Sequence, residues 1–481
     1  MTGSPGETGG NPGTGFQRSL GIVPALAVNM TQICGIGPFL TIPLMLQAMG
    51  GPQAILGWIA GAVLAMADGM VWAELGAAMP GAGGTYLYLR EAFQYRTGRL
   101  MPFLFIWTAM LVIPAIMSTA VIGVMQYLGF YFPHLGAFTF HVIAILVVVL
   151  VVTALYRDIG SIGRLTNLLC VIMLFTVGLT ILASLSHFHA SLAFSYPPGA
   201  FVLNRPFFSG LGSALLLAIY DYSGYNTTAY MADELRDPGR VLPRSILYSI
   251  LIMMAIYLTM NIGILGVAPW TELARSTSVG SLVMERTWGR TAAGVLTGLI
   301  IITGLASAFT GLLGGSRVPY YAAKDRVFLP VFARLHPRLR FPHVALITIG
   351  LFTAIGTLFE LGDVIALLTA VMVLVQSLGQ VIALSVLRRR QPNLPRPYRM
   401  LGYPFTSMIA LAGWLYVYVS SGEKMIFFSL VWLACGGAAF LFWARRERIW
   451  PFAPIEIREE YRQPQLVQGV STLKADAGGE S

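Results

Sequence analysis

Long apolar stretches alternate with short polar ones over most of the chain. Crossing the roughly 30 Å of hydrocarbon in a bilayer takes about 20 helical residues. Runs of that order cover residues 20–48, 53–79, 101–128, 135–156, 162–186, 207–232, 243–268, 291–314, 342–359, 363–387, 403–420 and 425–444. That makes twelve, of which the ninth and eleventh are short. Backbone N–H and C=O groups cannot be left open in lipid, so each run is expected to be a helix. None shows the ten-residue alternation of a membrane barrel. The expected fold is an all-α integral membrane protein with about 12 transmembrane helices. Residues 83–98 and 316–340 are amphipathic and read as short helices lying at one membrane face. The ends differ: residues 1–19 are rich in Gly, Pro and Thr, and 447–481 are polar. Both read as tails without a packed structure.

Composition agrees with this pattern. Of 481 residues, 56% are hydrophobic and only 11% charged, whereas soluble domains carry about 25%. A net charge of +10 would suit a nucleic-acid partner, but the placement of the charges excludes that reading. With the N-terminus in the cytoplasm, 26 of the 31 Lys and Arg residues fall on the cytoplasmic side. That asymmetry follows the positive-inside rule. It places both termini in the cytoplasm and makes the chain a multi-pass protein of the plasma membrane. Cys34, Cys170 and Cys435 all lie in apolar runs, which argues against a disulfide framework. The first apolar run is too long and too broken by Pro and Gly for a signal peptide.

Two runs carry helix-breaking chemistry near their middles. The first contains Cys34-Gly35-Ile36-Gly37-Pro38-Phe39. Gly tolerates non-helical backbone, and Pro38 lacks an N–H and clashes with the turn before it. Freed N–H groups at a helix N-terminus attract an anion such as a carboxylate. A packing kink would leave the same signature. The sixth run contains Tyr220-Asp221-Tyr222-Ser223-Gly224-Tyr225-Asn226, a polar patch with a glycine. If the first ten helices form two inverted repeats of five, these runs occupy matching places. Interrupted helices at matching places are the sequence pointer to a binding site near the bilayer midplane. The expected gaps lie around residues 35–38 and 220–224.

These residues resemble the amino acid–polyamine–organocation permeases, including the L-type amino acid carriers and the plant polyamine-uptake carriers. Gly35-Ile36-Gly37-Pro38-Phe39 resembles that family's first-helix break. Trp72-Ala73-Glu74-Leu75-Gly76 with Pro80-Gly81-Ala82-Gly83-Gly84-Thr85-Tyr86 resembles its second-helix ending. Tyr220 to Asn226 with Asp233-Glu234-Leu235-Arg236-Asp237-Pro238 resembles its sixth helix and exit loop. Ser316-Arg317-Val318 with Ala323-Lys324-Asp325, and Leu387-Arg388-Arg389-Arg390 with Pro395-Arg396-Pro397-Tyr398-Arg399, resemble the loops after helices eight and ten. The likeness runs from about residue 20 to 445.

The resemblance implies a LeuT-like 5+5 inverted repeat, with residues 20–186 and 207–387 as the repeats, discontinuous helices 1 and 6, and two further helices in 403–446. It implies a secondary transporter that moves amino acids by alternating access, by exchange or ion coupling, with polyamine or organocation uptake as the alternative. Substrate-binding residues carried over are Gly35, Ile36 and Gly37 for a carboxylate, and Tyr220, Asp221 and Ser223 for an amine, with Tyr220 as the gating aromatic. Ser307 and Thr310 are the candidate sodium ligands. The family's helix-five lysine, used by some proton-coupled members, has no counterpart in Cys170-Val171-Ile172-Met173-Leu174.

Two carboxylates stand inside the membrane, where a charge costs about 2.5–3.5 kcal/mol on insertion scales. Asp221 can pair with a substrate amine, exchange a proton, or cap freed amides. Asp68 lies deep in the second helix and reads equally as functional or scaffolding, so both are candidate proton or cation sites. Glu74 is nearer the surface and reads as structural or as an inner gate. The six histidines sit near span ends without metal-ligand spacing. Trp107, Tyr88 and Tyr127 read as packing or interfacial aromatics. No nucleophile–base set or phosphate loop is present, so no enzyme, cofactor or metal is expected. A nutrient sensor that binds without transporting is the rival from another class.

Overall fold

The computed structural model describes residues 20–81, 83–155, 162–337, 341–447 and 452, and no side chain for 162–170 or Asp233. The tails expected at 1–19 and 447–481 lie almost wholly outside the described residues. The described chain is built of helices and the loops between them, and its one β-bridge joins Leu20 and Leu235. In chain order the main helices are α1 (Ile22–Ile33), α2 (Gly37–Met49), α3 (Ile55–Ala78), α4 (Thr85–Thr97), α5 (Leu100–Leu128), α6 (Ala137–Ala154), α7 (Ile162–Ser186), α8 (Arg205–Tyr222) and α9 (Thr227–Tyr230). There follow α10 (Pro238–Leu265), α11 (Val279–Trp288), α12 (Arg290–Gly315), α13 (Arg317–Lys324), α14 (His343–Gly356), α15 (Leu361–Met372), α16 (Leu378–Arg390), α17 (Phe405–Ser420) and α18 (Glu423–Arg446).

Each of the twelve apolar runs falls on a helix or on an interrupted helix pair. Among the described residues, seven helices are long and apolar enough to cross a membrane, or eight if the bent pair α1 and α2 is one span. The outer faces of these and of the shorter apolar helices carry Leu146, Leu150, Val171, Leu351 and Phe442, all exposed. An apolar belt of that extent is a surface for lipid. The amphipathic stretch 83–98 is α4, which buries Thr85, Tyr88, Leu89, Ala92 and Gln94. Residues 316–340 give only α13 and a 3₁₀ turn at Pro330–Ala333 among the described residues, because Pro330 and Pro337 interrupt any longer helix.

Two groups of helices make the core. The α1/α2 pair and α8 pack together with α3 and α10, while α5 packs against α12, α14 and α15. Where α3 crosses α8, Gly57 and Gly61 face Ala214 and Ala218, and small residues let the two backbones close. Glu74, at the end of α3, is fully buried. It accepts hydrogen bonds from Arg388 Nε at 2.7 Å, Arg388 Nη2 at 2.5 Å and the Met400 amide at 2.7 Å. Arg396 Nε lies 3.4 Å away, and the Tyr403 ring covers the Arg388 guanidinium at 3.8 Å. This network ties α3 to α16 and to the loop after it. A buried carboxylate with this many donors is saturated.

Candidate functional site

The first break follows from its glycines and proline. The α-helical ladder of α1 ends at Cys34, whose amide still reaches the Met30 carbonyl, and Gly35 N–H turns back to Ile33 O at 3.1 Å. Helix α2 restarts at Gly37 with Pro38 in its first turn, where the missing N–H costs nothing. The two segments are bent by 49°. The amides of Ile36 and Gly37 have no backbone acceptor among the described residues. They stand at the break, on the positive end of the α2 dipole.

The second break lies slightly later than the sequence suggested. Helix α8 continues through Tyr220, Asp221 and Tyr222, and residues 223–226 are the non-helical stretch. Tyr and Asp can hold helical dihedrals, whereas Gly224 has φ +119° and ends the helix. The Tyr220 carbonyl accepts the Ser223 amide at 3.1 Å, and the Ser223 hydroxyl turns back to Ile219 O at 2.8 Å.

The breaks meet. A Cβ placed on Gly224 would lie 2.7 Å from the carbonyl carbon of Gln32 and 2.9 Å from the Ile33 nitrogen, so only glycine permits this approach. The Tyr257 hydroxyl, from α10, lies between the strands of the crossing, 2.9 Å from Ile33 O and 3.3 Å from Asp221 O. Asn29 Oδ1 accepts the Thr228 amide at 2.9 Å. A Cβ on Gly37 would lie 2.3 Å from Asp221 Oδ1 and 3.2 Å from Tyr220 Cε1.

Around this crossing is a cavity of about 510 Å³, inside the usual range for small-molecule pockets. All the candidate residues border it: Gly35, Ile36, Gly37, Asp68, Tyr220, Asp221, Ser223, Ser307 and Thr310. One wall is apolar, with Phe105, Val112, Ile116, Met117, Met173 and Leu368. Asp68 and Asp221 are the acids on the lining; no Lys, Arg or His borders it among the described residues. The cavity extends to Tyr230, Gly315 and Val318, next to the basic segments after α9 and α12. Toward the opposite end, hydrogen bonds link the helices. The Tyr220 hydroxyl pairs with that of Thr119 on α5 at 2.6 Å. Beyond it, the Tyr127 hydroxyl accepts the Gly280 amide at 3.1 Å and reaches Phe39 O at 3.4 Å, with the Phe39 ring edge-on to Tyr127.

The candidate sodium ligands are engaged locally. Ser307 donates to Thr303 O at 3.0 Å and Thr310 to Ala306 O at 2.8 Å. Ser307 Oγ would lie 3.5 Å from a Cβ on Gly35. Asp68 accepts Tyr225 Oη at 2.7 Å and Trp414 Nε1 at 2.9 Å. Asp221 Oδ2 accepts the Thr41 hydroxyl at 2.5 Å, and its Oδ1 has no hydrogen-bond partner. Sequence reasoning missed Thr119, Thr41 and Trp414, which stand in apolar runs without any local signal. It also missed Gln376 and Ser377 on the lining, which belong to a π-helical turn at Val373–Ser377 between α15 and α16. Such turns recur at functional sites.

Comparison with known proteins fits this geometry. A family model described as amino acid permease matches residues 20–453. The chain is similar to a branched-chain amino acid permease of Bacillus subtilis strain 168, 25% identical over 90% of this chain and 94% of the relative. A serine/threonine exchanger of the same organism is 25% identical, over 84% of this chain and 91% of the relative. The large neutral amino acids transporter small subunit 2 of Homo sapiens is 27% identical over 87% and 78%. A match across nearly the whole described chain, on a helical frame whose two breaks meet in one cavity, places the protein in the amino acid permease family.

Proposed function

We propose that the protein carries neutral amino acids with apolar side chains across the plasma membrane by alternating access. The observation that carries this reading is the composition of the cavity. Free amides at the start of α2 suit a substrate carboxylate. Asp221 and the carbonyls around the second break suit an ammonium, and the aliphatic and aromatic wall suits a side chain without charge. An anionic side chain would face two acids and no base. The three relatives described above are named for amino acids, two of them for branched-chain or large neutral ones.

In this reading residues 20–186 and 207–387 are inverted five-helix repeats within twelve spans, both termini are cytoplasmic, and the cavity faces the cytoplasm. Tyr220 with Thr119, then Phe39, Tyr127 and Gly280, close the outer end. Rocking α1, α3, α8 and α10 against α5 and α12 would open that end and shut the inner one. Ser307 and Thr310 are the proposed sodium ligands if sodium drives the cycle, since hydroxyls that donate along their own helix keep lone pairs for a cation.

The test is uptake of radiolabelled leucine by the full chain in proteoliposomes, with unlabelled leucine inside. Gly37→Val puts a branched side chain where Asp221 Oδ1 stands. It should cut uptake by about 100-fold or more, since a displacement of about 1 Å suffices for that, while the protein still reaches the membrane. Normal uptake by this variant refutes the site. The two acids also suit a polyamine, so spermidine competing where leucine fails would favour organocation uptake.

A further inference from the structure

Two groups lay claim to one place. In the reading above, the amides at the start of α2 receive the substrate's carboxylate. The structure sets the carboxylate of Asp221 against that same helix end. A Cβ on Gly37 would lie 2.3 Å from its Oδ1 and 3.5 Å from its Cγ. The side chain is only 3% exposed. Oδ2 takes one hydrogen bond, from Thr41, and Oδ1 takes none.

No cation offsets it. The groups facing Asp221 are Tyr220 and Tyr222 on its own helix, Gly37 and Thr41 from α2, and Tyr257 from α10, whose hydroxyl goes to backbone oxygens. Trp58 of α3 backs onto Tyr222 and Tyr257. Asp68, the other acid on the lining, is held by Tyr225 and Trp414. None of the ion pairs among the described residues includes Asp221. A zwitterion bound here would bring a second carboxylate to the N-terminus of α2. The site would then hold two negative charges against one ammonium and about half a positive charge from the helix. Two carboxylates at one buried position do not both stay ionised.

We propose that Asp221 is the proton site of the carrier and that it works by exclusion. Charged, it keeps the start of α2 for itself; protonated, it yields that place to the substrate's carboxylate. Each zwitterion therefore crosses with one proton. The proton passes from cavity water to the Asp221 carboxylate as the substrate enters, and returns to water on the far side as the substrate leaves. This rests on the amino acid reading and adds the coupling ion to it. An amine without a carboxylate needs no such proton, because it pairs with the charged form and competes with protons for it.

The two substrate types must therefore respond to pH with opposite sign, which gives the experiment. The full chain in proteoliposomes is assayed for leucine uptake and for its inhibition by 3-methylbutylamine, with a pH-sensitive dye inside, between about pH 5.5 and about pH 7.5. The apparent affinity for leucine should improve as pH falls, by up to about tenfold per pH unit for one linked proton. Inhibition by the amine should weaken over the same range, and leucine entry should acidify the lumen. Asp221→Asn cannot change charge, so it should lose both the pH dependence and the acidification. Thr41→Val removes the hydroxyl that favours the charged carboxylate, so coupling should persist with the pH profile moved to higher pH.

Leucine uptake without pH dependence or acidification overturns the proposal and leaves the amino acid reading standing. So does an amine whose inhibition follows the same sign as leucine, or an Asp221→Asn protein with the wild-type profile. If Asp221→Asn fails to reach the membrane, Thr41→Val decides, and an unmoved profile overturns the proposal. Failure of the wild-type protein to take up leucine at any pH, with or without sodium, removes the amino acid reading and this proposal with it.

Discussion

Asp68 and Asp221 border the same cavity and are buried to the same degree, at 2% and 3% exposure, yet they are built differently. Asp68 receives the Tyr225 hydroxyl and the Trp414 indole N–H, one on each oxygen. It joins α3 to the second break and to α17, as a strut between three parts of the fold. Asp221 receives one hydroxyl and keeps one oxygen bare beside Gly37. Burial does not separate the two carboxylates; the count of donors does. A carboxylate with each oxygen bonded has little to gain by moving or by taking a proton. One left half-bonded in a cavity is the group that a substrate or a proton can change.

The difference can be broken by measurement, first through Asp68→Ala. Leaving the buried Tyr225 and Trp414 donors unpaired should cost about 3 kcal/mol, seen as a lower apparent melting temperature of the detergent-purified protein. Asp221→Ala removes one hydrogen bond but also an unpaired buried oxygen, so it should stay within about 1 kcal/mol of wild type. Equal losses from the two would refute the contrast. Tyr225→Phe takes away the hydroxyl donor to Asp68 and should cost about 2 kcal/mol, the value of a hydrogen bond to a charged group. A melting temperature unchanged by Tyr225→Phe would show that Asp68 is not a strut. The smallest effect is expected at Tyr220, the neighbour of Asp221 on α8. Tyr220→Phe keeps the ring and loses the bond to Thr119. That is worth about 1 kcal/mol, so exchange of leucine should change by about fivefold. An effect as large as that of Gly37→Val would mean that the hydroxyl itself binds substrate.

How much of this was legible in the sequence depended on range. Gly35, Gly37 and Pro38 act on their own backbone, and the first break is where they put it. At the second break, the polar residues and the helix end do not coincide. The polarity of Tyr220 and Asp221 suggested a gap there, but both stay helical, and Gly224 with its positive φ marks the end of the helix. Polarity shows that a position has somewhere to go; only the dihedral requirement shows where a helix stops. The partners that define the two acids were out of reach. Thr41 is 180 positions from Asp221, and Trp414 is 346 from Asp68. Each sits in an apolar run where Thr and Trp are ordinary. Glu74 read as structural or gating, and its saturation by Arg388, Arg396 and Met400 comes from α16 and the loop after it, more than 300 residues away.

By itself the sequence determined the solvent of this protein, its twelve apolar runs, its charge asymmetry and the place where its first helix breaks. These rest on the cost of moving charges and open backbone groups into lipid and on the dihedral limits of Gly and Pro, which act residue by residue. The tertiary structure alone decided that the breaks cross at Gly224 and Ile33, that Tyr220 pairs with Thr119 across the cavity, and that Asp221 rather than Asp68 is left with a bare oxygen. Those facts are distances between groups far apart in the chain, and they exist only once α2, α3, α8 and α17 have packed.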